Sequence, residues 1–171
     1  DVGFGLSGTG NIPIFLATNG SGTDISVTVS VTPTSSNGCV GAPEDFVITI
    51  HANPIVSFTA DTLNACSPFV VNFTNTSSVP GQNCIWNFGN GLGVVGCGTV
   101  TTTFNSGTYD VTLDVTTADG CFGTATVTDY IHVYDTPVAE FSYSPQILDI
   151  GDTEVNFTNH SDFADTYEWD F

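Results

Sequence analysis

The chain repeats itself at an interval of roughly 83 residues, well beyond that of solenoid repeats, and each copy is written in β-alternation. VSFTA (56–60) returns as AEFSY (139–143), VNFTNTS (71–77) as VNFTNHS (155–161), and IWNF (85–88) as EWDF (168–171). The spacings Phe58 to Phe141, Phe73 to Phe157 and Trp86 to Trp169 agree within a single position. The segments ITIHANP (48–54) and YIHVYDTP (130–137) are each an alternating strand that runs into Pro. A period this long, filled with short strands, calls for tandem β-domains with separate cores, not a solenoid. Three units are expected. Residues 1–54 read as the C-terminal part of one module, 55–135 as a complete module, and 136–171 as the truncated N-terminal part of a further one. A chain running from Asp1 to Phe171 in this way reads as an internal piece of something longer.

Within the central module, period-two alternation predicts strands over 55–60, 70–75, 85–89, 93–98, 100–104, 108–116 and 124–134. Val71 and Phe73 share one face of the second strand, and Trp86 and Phe88 one face of the third. Tyr109, Val111, Leu113 and Val115 point inward from a later one. Seven short strands in about 80 residues fit an immunoglobulin-like sandwich, with Gly107-Thr108-Tyr109 where a tyrosine corner falls. The fold class expected is therefore all-β, in tandem immunoglobulin-like sandwiches. The structural core is Trp86, Phe88, Phe73 and Tyr109, with Trp169 as the interior counterpart of Trp86. Asn90-Gly91 and Asp119-Gly120 are hairpin turn signals.

Composition narrows the partners. The chain has no Lys or Arg, 18 Asp and Glu, three His and a formal charge of −18. It has nothing with which to grip phosphate, which excludes nucleic acid and an anionic membrane surface as partners. No apolar run reaches the ~18 residues of a membrane span, and the N-terminus lacks the basic start and apolar run of a signal peptide. Apolar residues make up 40% of the chain, including 13 Phe, enough to bury real cores.

The five cysteines form no C-x-x-C pair and have no His at zinc-site spacing. Disulfides in an oxidising compartment are the better reading. A turn centred on Asn90-Gly91 sets Trp86 opposite Val95 and Cys84 opposite Cys97, so Cys84–Cys97 is the expected bridge. Cys66 and Cys121 remain as a second pair, although a simple sandwich places them near opposite ends. Cys39 then needs a partner upstream of Asp1.

W-N-F-G-N-G (86–91), G-T-Y-D-V-T-L (107–113) and D-G-C (119–121) resemble the polycystic-kidney-disease (PKD) domain, whose signature reads W-D-F-G-D-G and then G-x-Y-x-V-x-L. Asn87 and Asn90 stand where that signature has Asp, whereas Trp169-Asp170-Phe171 keeps it. The N-terminal segments (10–19, 29–34, 37–43 and 47–54) resemble PKD-like repeats of very large surface proteins of Bacteroidetes-type bacteria. The resemblance implies extracellular spacer and adhesion modules, as in gliding-motility adhesins exported by type IX secretion. It also implies the surface of a Gram-negative bacterium, a surface or glycan ligand bound by other parts of the parent protein, and contact with secretion components. Such modules also occur beside the catalytic domains of secreted polysaccharide-degrading enzymes, which is the alternative reading.

No catalytic or cofactor-binding residue is expected. His51, His132 and His160 lack a nucleophile at useful spacing, and two of them fall at similar places near module ends, which suggests a junction role. Carboxylate pairs suited to glycoside hydrolysis occur by chance in so acidic a chain, and a module of about 80 residues offers no substrate cleft. Trp86, Phe88 and Phe73 could stack on a sugar, but a sandwich needs them inside. Ca²⁺ is the one cofactor an uncompensated acidic surface would admit. Asp149, Asp152, Glu154, Asp162 and Asp165 cluster in the third unit without matching an EF-hand loop. Asp61-Thr62-Leu63 resembles a short Bacteroidetes O-glycan acceptor, which makes Thr62 a candidate glycan site. The function expected is that of a stiff, non-enzymatic spacer in a long surface protein.

Overall fold

The structure is a computed structural model and describes residues 9–11, 14–78, 83–147, 150–151 and 154–170. Its strands are β1 (Ile25–Val31), β2 (Glu44–Ile50), β3 (Phe58–Ala60), β4 (Asn64–Cys66), β5 (Phe69–Asn75), β6 (Asn83–Asn87), β7 (Gly93–Val95), β8 (Thr99–Phe104), β9 (Gly107–Thr116), β10 (Phe122–Tyr134), β11 (Phe141–Ser144) and β12 (Asn156–Asn159). The described residues contain no helix. Val, Thr, Phe and Ile fill the strands, and their branched or aromatic side chains suit a pleated, half-buried surface.

β3 to β10 build a two-layer sandwich. One sheet has the order β3-β5-β8 and the other β4-β10-β9-β6-β7. Each layer turns one set of alternate residues inward. β5 contributes Val71 and Phe73, β8 contributes Val100 and Phe104, and β9 contributes Val111, Leu113 and Val115. These meet Cys84, Trp86, Phe88, Ile131 and Val133 in one core. Trp86, Phe73 and Phe88 are fully buried, and the Trp86 and Phe88 rings stack at 5.9 Å. Burying one such ring stabilises a fold by roughly 1.5–3 kcal/mol. The polar edge of Trp86 is satisfied, because Nε1–H donates to the Gly96 carbonyl at 2.9 Å.

Tyr109 is half-buried, and its hydroxyl donates to the carbonyls of Asn105 (3.1 Å) and Ser106 (3.3 Å). A tyrosine hydroxyl tied to backbone just upstream is the tyrosine corner of immunoglobulin-like sandwiches. Gly107 makes it possible. Its φ is +146°, and a Cβ there would come within 3.1 Å of the Tyr109 hydroxyl oxygen.

Two features differ from the sequence reading. The β6–β7 register runs Ile85 to Val95, Trp86 to Val94 and Asn87 to Gly93. It lies one residue away from the pairing that an Asn90-Gly91 two-residue turn imposes. The connection is longer because Phe88 is drawn into the core and Asn90 is held by its own bonds. The Asn90 amide donates to the Thr103 carbonyl (3.0 Å), and its Oδ1 accepts from Leu92 N–H (3.0 Å). The second difference is β4, a three-residue strand that pairs in parallel with the end of β10.

The flanking sheets copy parts of the sandwich. The β1–β2 hairpin ends in a turn in which Ser35 N–H donates to Cys39 O (2.9 Å) and Gly38 N–H to Ser35 O (3.0 Å). In the β9–β10 turn, Thr117 N–H donates to Cys121 O (2.9 Å) and Gly120 N–H to Thr117 O (3.1 Å). β11 and β12 pair Phe141 with Asn159, as β3 and β5 pair Phe58 with Asn75. The side chain of Ser77 donates to Asn75 Oδ1 at 2.6 Å, and that of Ser161 to Asn159 Oδ1 at 2.6 Å.

The position of Trp169 corrects the sequence reading. It packs on Phe141 and Phe157 but is 41% exposed, unlike the fully buried Trp86. Among the described residues the β11–β12 sheet has two strands and no second sheet facing it, so the indole is covered on one side only.

Candidate functional site

The cysteines divide into one bridge and three free thiols. Cys84 and Cys97 form a disulfide with a Cα–Cα distance of 4.9 Å. Gly96 N–H donates to Cys84 O at 2.9 Å, which carries the shifted register one pair past β7, and Cys97 follows directly, within bridging reach of the buried Cys84. Cys39, Cys66 and Cys121 are unbridged. The expected Cys66–Cys121 pair is not formed. Cys66 is paired beside Tyr134 at one end of β10, and Cys121 adjoins Phe122 at the other. A 13-residue strand spans roughly 40 Å at ~3.3 Å per residue, far beyond the ~7 Å Cα limit of a disulfide.

The junction between the β1–β2 sheet and the sandwich is closely built. Asn19 Nδ2 donates to Ile50 O (2.8 Å), and Ala52 N–H donates to Asp24 Oδ1 (2.9 Å). Ala52 and Pro54 are buried. Gly123, in β10, admits the linker, since a Cβ there would lie 2.9 Å from Val56 Cγ2 and closer still to Pro54 O. His51 Nδ1 lies 2.8 Å from Asp24 Oδ2 and 3.5 Å from Asp119 Oδ2, the latter in the β9–β10 turn. The hydrogen bond to Asp24 holds the His51 imidazolium above its usual 6.5, with Asp119 adding a Coulombic pull in the same direction. Asp24 lies below its usual 3.8, chiefly through the Ala52 N–H and then through His51.

The other two histidines are differently placed. His132 Nδ1 is 3.3 Å from Thr108 Oγ1 on the neighbouring strand, and His160 Nε2 is 2.8 Å from Ser142 Oγ. At the opposite end of the sandwich, Thr136 Oγ1 donates to Ser67 O.

Trp86, Phe88 and Phe73 have no surface on which a sugar could stack. Exposed aromatics gather instead on the β11–β12 sheet, where Phe141, Phe157 and Trp169 line a cleft of about 520 Å³. Asp149 and Asp152 lie outside the described residues, and among those described no three His, Cys, Asp or Glu converge as a metal site. Glu154, Asp162 and Asp165 are exposed. Thr62 is exposed in the bend between β3 and β4. Its neighbour Asp61 accepts from Asn72 Nδ2 (2.7 Å) and Asn72 N–H (3.1 Å). Asn87 and Asn90 cap the loop after β6, with Asn87 Oδ1 accepting from Gly89 N–H at 3.0 Å.

The disulfide-closed sandwich and its tyrosine corner define an immunoglobulin-like module. Residues 51–133 match the family model described as PKD domain, and this part of the chain is a PKD-like domain. Such domains are structural or adhesive, typically non-catalytic modules of extracellular proteins. No match was found among curated proteins. No helix among the described residues is long and apolar enough to cross a membrane.

Proposed function

We propose that this chain is a stiff spacer in a long extracellular surface protein, with modules meeting near residues 54 and 135. In this reading the parent protein is an adhesin or gliding-motility filament of a Gram-negative bacterium, exported by type IX secretion. Its ligand is a surface or glycan held by other parts of the molecule, and the segment itself does no chemistry. The observation that carries the reading is the linker, whose Ala52 and Pro54 are buried, with Pro54 seated beside Gly123 of β10. A linker that is itself packed cannot act as a free swivel, and connections of a few residues restrict it further. The acidic coat of −18 keeps neighbouring strings apart and soluble. The absence of Lys and Arg removes every trypsin site, which suits an exposed protein. Any Ca²⁺ would bind at this surface as a supplement to the packing.

Small-angle scattering of the 171-residue chain tests the reading. A compact domain of that length has a radius of gyration of about 16 Å. A rod of units held in line gives a clearly larger value, with a single well-defined maximum dimension. A value near that of the compact domain, or the featureless curve of a flexible string, would overturn it.

A further inference from the structure

We propose that His51 is a proton-operated clip that couples the β1–β2 sheet to the central sandwich. The inference rests on the reading of the chain as modules held in line. Asp24 immediately precedes β1 and His51 immediately follows β2, so the two face each other where the Ile25–Ile50 register ends. Asp119 belongs to the β9–β10 turn, at the far side of the sandwich sequence from His51. One ring nitrogen therefore faces a carboxylate from each of two units, at 2.8 and 3.5 Å.

A neutral imidazole can donate its Nδ1 proton along one of these directions only. An imidazolium attracts both carboxylates and relieves their mutual repulsion. No other side chain can stand in for it, because the sequence has no Lys or Arg. Among the described residues, Asp24 and Asp119 are the charged groups that face the ring. The ring is 40% exposed on its side chain, so it exchanges protons freely with solvent.

The direction of the effect follows from the shifts. The folded-state value of His51 is raised, so its contribution is complete below 6.5 and is lost as pH rises through that raised value. The folded-state value of Asp24 is lowered, so its carboxylate is available above 3.8 and is lost only as pH falls through the lower value. The clip is closed below 6.5 and opens as pH rises through the raised His51 value.

Residual dipolar couplings of the 171-residue chain, at about pH 5.5 and about pH 8 on either side of the ordinary imidazole value, test this. The alignment tensors of the β1–β2 sheet and the sandwich are expected to coincide at the lower pH and diverge at the higher. His51→Gln should diverge at both, and Asp119→Asn should bring the His51 titration midpoint back toward 6.5. Tensors that coincide at both pH values overturn the clip and leave the spacer standing. Tensors that diverge at both overturn the clip and the spacer together.

Discussion

Trp169 meets Phe141 edge-on at a ring separation of 5.4 Å and an interplanar angle of 78°. Trp86 meets Phe58 at 5.4 Å and 71°, one sequence repeat earlier. The third ring follows suit, with Phe157 at 5.6 Å from Trp169 and Phe73 at 5.9 Å from Trp86. The repeat is therefore a repeat of packing, and burial alone separates the two copies. In the sandwich the indole stacks on Phe88 and lies in one buried core with Val111, Leu113 and Val115. On the β11–β12 sheet the same cluster lines the cleft.

That contrast predicts unequal costs. Trp86→Ala removes a fully buried ring and its bond to Gly96 O, and should cost about 3–5 kcal/mol. Trp169→Ala, at a 41% exposed position, should cost roughly 1 kcal/mol or less. Urea unfolding of the whole chain, followed by circular dichroism, measures both, with the Trp169 loss read on the transition of the β11–β12 sheet. Equal losses would contradict the assignment.

The Cys84–Cys97 bridge closes a 13-residue separation, which in the loop-entropy account is worth about 3 kcal/mol. Reducing it, or replacing both residues with Ala, should lower the unfolding free energy of the sandwich by about that amount. Peptide mapping without reductant should recover the Cys84–Cys97 link and no Cys66–Cys121 link. Alkylation of the unreduced chain should label Cys39 and Cys66 readily, since both are exposed.

Gly123 is a packing requirement at the junction. Gly123→Val would drive a side chain into Pro54 and Val56. The expected outcome is a looser junction, visible as a larger difference in rotational correlation times between the β1–β2 sheet and the sandwich. The sandwich core, whose buried members do not include Gly123, should keep its amide protection.

Asp61 ties the bend after β3 to β5 through Asn72, and the side-chain bond to Asn72 holds its carboxyl below the usual 3.8. Its contribution is present above 3.8 and lost as pH falls through the lowered folded-state value. Asp61→Asn should therefore destabilise the sandwich at neutral pH and have no effect in strong acid. Carbon-detected titration of the Asp61 carboxyl should place its midpoint below 3.8.

Much of the sandwich was legible because its signals are local. Val71 and Phe73, the alternating run from Tyr109 to Val115, and Gly-Thr-Tyr each declare a face or a corner within a few residues. What escaped depends on distant partners. β4 is three residues with no alternation, and it becomes a strand only because the end of β10 lies beside it. The loop after β6 carries a strong turn dipeptide, yet the burial of Phe88 and the bonds of Asn90 set a longer connection. The separation of Cys66 and Cys121 was legible in the sandwich topology, and the full 13-residue length of β10 sets its size. His51 stood out as a junction residue, but nothing near it in sequence points to Asp119.

Force spectroscopy on the tethered chain tests the central claim, that each module is a separately cored, load-bearing unit. The account predicts one cooperative rupture for the PKD-like domain, releasing the matched span 51–133 less the residues locked between Cys84 and Cys97. Reductant should lengthen that step by about 45 Å, at ~3.5 Å per freed residue. Gradual extension without a rupture peak, or a step length indifferent to reductant, would contradict it.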